Sequence, residues 1–214
     1  MNKIRVRLTF IDSLLGSEPA NKELHQDYVQ SLIPEDLYEP EELKAIKAEE
    51  LQALKDGDEK GRTVFYRNEE GNPCLHNNHI KGFFKAACKA LRDDKTNLSS
   101  KVTAYKSEID NKIFVYPDAK NPGSRFIEIQ NYGEVTTCQR PLRGQTAQGE
   151  RIAIADSDMI GPGAFIEFDI VWLKHDKKPI GEELIKEWLD YGMRKGLGQW
   201  RNSGKGAFTY EVLQ

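Results

Sequence analysis

The stretch Gly192-Met193-Arg194-Lys195-Gly196-Leu197-Gly198-Gln199-Trp200-Arg201-Asn202-Ser203-Gly204-Lys205-Gly206 constrains this chain more than any other part of it. It holds five glycines, four cations and one Trp in fifteen residues, and no acid. Glycine admits positive φ and lets a backbone approach a ligand closely, so the run reads as a loop. Cations and exposed amides suit an anion, and phosphate is the commonest biological one. Alternation from Ala207 to Leu213 then closes the chain as a strand. A glycine-rich loop feeding a C-terminal strand is therefore expected. Arg194, Lys195, Gly196, Gly198, Arg201, Gly204 and Lys205 are its candidate polyanion contacts, and Trp200 is available to stack a base. The alternative is a tight structural loop with Trp200 as a core anchor. The pattern of a Walker loop is absent.

The 214 residues suit one large domain or two small ones, with 38% hydrophobic and 30% charged residues, as in a rather polar globular protein. A net charge of −3 does not announce a nucleic-acid binder, but the charge is uneven. Residues 18–60 carry 13 acids against 5 bases, so the rest of the chain is net positive. Three widely spaced cysteines, Cys74, Cys88 and Cys138, are not a disulfide framework and point to a reducing compartment. The opening residues lack the apolar stretch of a signal peptide, and no run is long enough for a transmembrane helix. A cytoplasmic location and no membrane partner are expected.

Along the chain, residues 3–11 read as a strand with Ile4, Val6, Leu8 and Phe10 on one face and Lys3, Arg5, Arg7 and Thr9 on the other. The cationic face is either solvated or a binding surface. Leu14 to Pro19 is a loop. Residues 20–56 look helical and acidic, split by Pro34 and Pro40. A short hairpin turns around Asn68–Gly71. The clearest helix is 78–92, with Ile80, Phe83, Phe84, Ala87 and Leu91 on one stripe and Lys81, Lys85 and Lys89 on another. Residues 112–117 and 124–130 read as strands. Val135 to Ile154 suggests a hairpin whose basic tip is Arg140–Thr146, with Arg140 and Arg143 as candidate contacts. A long strand spans 163–174, and Pro179 to Glu183 opens a helix to about Met193. Strands and helices are not in strict alternation, which argues α+β with a mostly antiparallel sheet.

This order of parts resembles the RAMP superfamily, the RNA-binding backbone and processing subunits of CRISPR effector complexes. The marks are the opening strand running into Leu14-Leu15-Gly16-Ser17, the Lys81-Gly82 helix start after Leu75–Ile80, and the loop Gly192–Gly206 before the last strand. Together they cover about a third of the chain. The resemblance implies a ferredoxin-like (RRM-like) sheet with helices on one face, an acidic, mostly helical insertion at about 18–60, and a long hairpin, all in a single domain over 1–214. It implies single-stranded RNA, another single-stranded nucleic acid or a guide–target duplex as ligand, and a CRISPR-type nucleoprotein complex or a filament of copies as assembly. The chain departs from the family where His76-Asn77-Asn78-His79-Ile80 replaces a Gly-Ser-Ser start and where Gln199-Trp200 stands in the glycine loop. Asp12 and Asp27 lie near the position of the family's cleaving aspartate but in no matching motif, so nuclease activity is not carried over.

Two other readings stay open. One is a phage-type decoy or inhibitor that docks on a nucleoprotein complex through the acidic 18–60 surface. The other is a metal-independent endoribonuclease using His76 or His79. Cys74, His76, His79 and Cys88 have zinc-ligand chemistry but not the spacing of a common finger, so neither metal nor cofactor is expected. The leading expectation is a non-catalytic protein that grips single-stranded RNA.

Overall fold

The computed structural model describes residues 2–20, 62–146, 149–174 and 179–213, with backbone alone for 142–146 and 149–154. The acidic segment read as helical, with Asp27, falls outside these residues apart from its first few. Glu18–Pro19 is a short strand.

Strand β1 (Asn2–Phe10) buries Ile4, Val6, Leu8 and Phe10, as its alternation requires. It pairs with β11 (Phe165–Trp172) in a register that sets Ile4 opposite Ile170, Val6 opposite Phe168 and Leu8 opposite Ile166. On its other edge lies β12 (Phe208–Leu213), with Phe10 opposite Phe208. The far edge of β11 is shared. Strand β7 (Ile113–Tyr116) takes its second half, and β8 (Phe126–Gln130) takes its first residues. Through β8 the sheet continues to β6 (Pro73–His76) and β5 (Tyr66–Arg67), and every neighbouring pair is antiparallel. A smaller sheet joins β2 (Leu14–Leu15), β3 (Glu18–Pro19), β4 (Arg62–Val64) and the long hairpin β9 (Val135–Thr146) and β10 (Gly149–Ile160). There the β10–β4 pair is parallel. The protein is thus α+β with a mostly antiparallel sheet and, among the described residues, three α-helices.

Helix α1 (Asn77–Leu91) turns Ile80, Phe83, Phe84, Ala87 and Cys88 inward. Helix α3 (Glu182–Lys195) turns Leu184, Ile185, Trp188, Leu189 and Gly192 inward, with Glu182 and Glu183 at its positive end and Arg194 and Lys195 at its negative end. The two meet where the Phe84 and Trp188 rings lie 5.3 Å apart. Phe208 joins sheet to helices, 6.5 Å from Phe10 and 5.9 Å from Phe83. Gly192 is glycine because a methyl there would run into Phe208 and Phe83. The short α2 (Tyr105–Lys112) covers α1 with Tyr105 and Ile109. Trp188 buries its indole N–H as a donor to Ser99 Oγ at 2.9 Å, and Glu187 accepts from the Leu98 and Ser99 amides at 2.6 and 3.0 Å. A buried polar group held in this way avoids the cost of an orphan.

The cationic face of β1 is a charge ladder. Arg7 donates to Glu167 at 2.6 and 2.8 Å, Arg5 to Asp169 at 3.3 Å, and the Lys3 ammonium lies 3.6 Å from Asp169. Asp169 is 1% exposed and also accepts from the Ala119 amide at 2.7 Å, which draws the chain after β7 over this face. One sequence reading is corrected here. Arg140–Thr146 is not the hairpin tip but paired strand, from Arg140 opposite Ala155 to Thr146 opposite Gly149. The segment after α1 also contains a helix that the sequence did not signal, because α2 buries only two side chains.

Removing the Asp169 carboxylate strips three donors of their acceptor. Asp169→Ala is expected to cost about 2–4 kcal/mol in equilibrium urea unfolding. Glu167→Ala, whose pair with Arg7 is open to water, is expected to cost about 1 kcal/mol or less.

Candidate nucleic-acid interface

The end of the sheet where β1 stops and β12 starts is built by the glycine loop. Gly196 closes α3 through its amide, which donates to the Gly192 carbonyl at 2.8 Å. The chain then doubles back on itself, with the Leu197 amide donating to the Gly206 carbonyl at 2.9 Å and the Leu197 side chain buried. At Gly206, φ is +71° and an added methyl would collide with the Leu197 carbonyl, so only glycine serves. The Gly206 amide donates to the Ser13 carbonyl, and the Ile11 amide donates to the Ala207 carbonyl, each at 2.8 Å. These bonds lock the loop to the segment after β1.

Trp200 sits on top of this crossing in the left-handed region, at φ 53° and ψ 33°. A non-glycine residue pays about 1–2 kcal/mol for that conformation. Trp200 is 40% exposed, whereas Trp172 and Trp188 are buried. Strain spent on presenting a large aromatic ring to water is a mark of use rather than of packing. Arg140 reaches across from β9 and places its guanidinium carbon 5.2 Å from the centre of the Trp200 ring. The same guanidinium donates through Nη2 to Gln199 Oε1 at 2.6 Å, and Gln199 Nε2 donates to the Gly16 carbonyl at 2.9 Å. The Lys205 ammonium donates to Asp12 Oδ1 at 3.0 Å, and Lys195 donates to Asn202. Arg194 and Arg201 carry no ion pair among the described residues. Arg194 and Lys195 border a cleft of about 430 Å³ between the ends of α1 and α3.

Of the residues expected from the sequence, the structure gathers Arg140, Gly198, Trp200, Arg201, Gly204 and Lys205 at one end of the sheet, with Arg194, Lys195 and Gly196 at the adjoining helix terminus. Arg143 lies in β9 opposite Ile152, and its side chain is outside the described residues. The lysine stripe faces elsewhere. Lys85 pairs with Asp110 of α2 at 2.6 Å. Lys81 donates to the Asp110 carbonyl and lies 5.7 Å from the Phe114 ring, its amine pushed down by burial. Lys89 is exposed.

The histidines and cysteines do not converge. His76 is buried and caps α1, its Nδ1 accepting from the Asn78 amide at 3.2 Å between the rings of Tyr66 and Phe126. His79 Nε2 lies 2.9 Å from Glu18 Oε1, a buried carboxylate. Cys74 packs against Tyr66, and burial pushes its thiol up to about 12. Cys88 belongs to the main core, and burial raises its thiol too. No group of three His, Cys, Asp or Glu that could hold a metal ion is found among the described residues, and none of their helices is long and apolar enough to cross a membrane. Gln199 is the functional candidate that the sequence reading passed over. Its only signal was its position between Gly198 and Trp200, in a loop where arginine was expected. No protein-family model matches the chain, and no curated protein matches it.

The crossing makes two glycines unequal. Gly204 also has positive φ, +84°, but its nearest neighbour would be Asp12 Oδ2 at 3.7 Å. Gly204→Ala is expected to cost about 1 kcal/mol and Gly206→Ala about 2–5 kcal/mol, read from urea midpoints.

The contact between Lys205 of the loop and Asp12 predicts a response to acid. The Lys205 hydrogen bond, then the Ser13 amide, hold the Asp12 carboxyl below the usual carboxylate range. A carboxyl depressed on folding contributes stability that is present above its unfolded value of about 4 and is lost as pH falls through the lower folded value. Acrylamide quenching of Trp200 is therefore expected to rise on acidification below about pH 4. In Lys205→Met that rise should shrink.

Proposed function

We propose that this protein binds single-stranded RNA at the glycine-loop end of its large sheet, as a RAMP-like, non-catalytic nucleic-acid-binding protein. The observation that carries the reading is Trp200, a strained and exposed ring backed by Arg140, beside Arg201 of the loop and Arg194 at the end of α3, which carry no ion pair among the described residues. Successive phosphates take the cations, and a base takes the ring, in the combination that sequence-tolerant single-strand binders use. The strand order supports the fold that goes with this reading. From one edge the sheet runs β12, β1, β11 and then β7 and β8. Helices α1 and α2 lie between β1 and β7 in the chain, and α3 lies between β11 and β12, an order in keeping with a ferredoxin-like sheet in which α2 is an addition. The ladder of ion pairs on the opposite face argues against binding there, because Arg5 and Arg7 are already neutralised by Asp169 and Glu167.

Fluorescence anisotropy with a labelled single-stranded RNA of about twelve nucleotides, several OB-fold site sizes being of this order, tests the proposal. Binding is expected to weaken steeply with salt. Trp200→Ala should weaken it about tenfold with the salt slope unchanged, as befits loss of a stacked base. Arg201→Ala should lower the slope by about 0.7, the value of one single-strand phosphate. No binding at about 50 mM salt, where phosphate contacts are strongest, rules the reading out.

A further inference from the structure

We infer that Gln199 is the positioning residue of this site: it holds the Arg140 guanidinium over one face of the Trp200 ring, so that the ring's other face takes one unpaired base of a single strand. The inference rests on the RNA-binding reading above and adds how the stacking partner is kept in place. Three chain segments remote in sequence meet at one side-chain amide. Arg140 comes from the long hairpin, Gly16 from the connection between β2 and β3, and Gln199 from the loop after α3.

Chemistry fixes which way the amide points. The Gly16 carbonyl only accepts and the Arg140 guanidinium only donates, so Nε2 must face Gly16 and Oε1 must face Arg140. Both bonds are short, 2.9 and 2.6 Å. Turned the other way, the amide would set NH₂ against guanidinium and oxygen against oxygen. With Nη2 held by Gln199, the guanidinium carbon stays 5.2 Å from the indole centre, a cation–π distance. Arg140 Nε is buried with no acceptor among the described residues, so the Nη2 bond to Gln199 is what fixes the guanidinium in place.

One face of the indole is therefore occupied by the guanidinium, and a base can stack only on the other. A base inside a duplex is stacked on both faces, whereas a base of a single strand is free to leave its neighbour for the ring. The site thus selects single strands through Trp200, and Gln199 controls how well the ring is backed.

The test uses the full chain, the same labelled RNA and the same sequence as a duplex. Gln199→Leu removes both hydrogen bonds at similar volume. It is expected to weaken single-strand binding about threefold to tenfold, the range a cation–π contact supports, with the salt slope little changed and the thermal midpoint lowered, since the Gly16 carbonyl and Arg140 each lose a partner. In a Trp200→Ala background the same substitution should change nothing, because Gln199 acts through the ring. Arg140→Lys keeps the charge but lacks the planar fork that bridges amide and indole. It should match Gln199→Leu, and it keeps the inference testable if Gln199→Leu misfolds. If both variants bind like the parent, or if Gln199→Leu weakens the Trp200→Ala protein equally, Gln199 has no positioning role while RNA binding stands. If the parent binds duplex as tightly as single strand, the selection by the ring is overturned. If the parent binds neither, the proposed function itself has failed.

Discussion

The register between β1 and β11 is the constraint on which the rest of the molecule depends. It places Ile4, Val6 and Leu8 against Ile170, Phe168 and Ile166 on one face, and Arg5 and Arg7 against Asp169 and Glu167 on the other. A slip of one residue would exchange the faces and drive two guanidinium groups among Phe84 and Trp188. The apolar set and the charge ladder therefore specify the same pairing twice, once by what is buried and once by which charges meet. Because β12 is then held by β1, the position of the glycine loop is a direct consequence of that register.

At the end of this sheet the loop's rigidity comes from backbone rather than from side chains. Leu197 and Gly206 cross at hydrogen-bond distance, and Ser13 and Ile11 bind the crossing to the segment after β1. Side chains then decide what the rigid end presents. Asp12 takes up Lys205, while Gln199 takes up Arg140 and leaves Trp200 outward. The Gln199–Arg140–Trp200 group is thus held in place by the protein itself, with little of its own side-chain entropy left to lose.

The strands β1, β11 and β12 and the helices α1 and α3 were legible in the sequence, since their apolar residues recur at the spacing of the element they form. Such periodicity needs a buried face several residues long. Helix α2 has only Tyr105 and Ile109 to show, one turn apart, and starts after Ala104 in a left-handed conformation. The hairpin was legible as a pair of strands but not in length, because no turn residue marks its end as clearly as Pro141 and Gly144 mark its middle. The glycine loop showed its cations and its Trp. It could not show that Lys205 is engaged by Asp12 across most of the chain, or that Lys81 and Lys85 turn towards Asp110. Those pairings depend on which elements end up side by side, and local sequence carries no record of them.

The neighbours of β1 have a consequence for how the protein is made. Both strands that flank it, β11 and β12, lie in the last fifty residues, and the loop that seals its end follows α3. A ribosome adding about 5–20 residues each second exposes the N-terminal segment long before those partners exist. For that interval the central strand of the large sheet has an apolar face and two open edges, the condition in which nascent chains are held by chaperones or aggregate. Folding of the large sheet therefore waits on the residues from 165 onward, and the glycine-loop end is the part of it completed last.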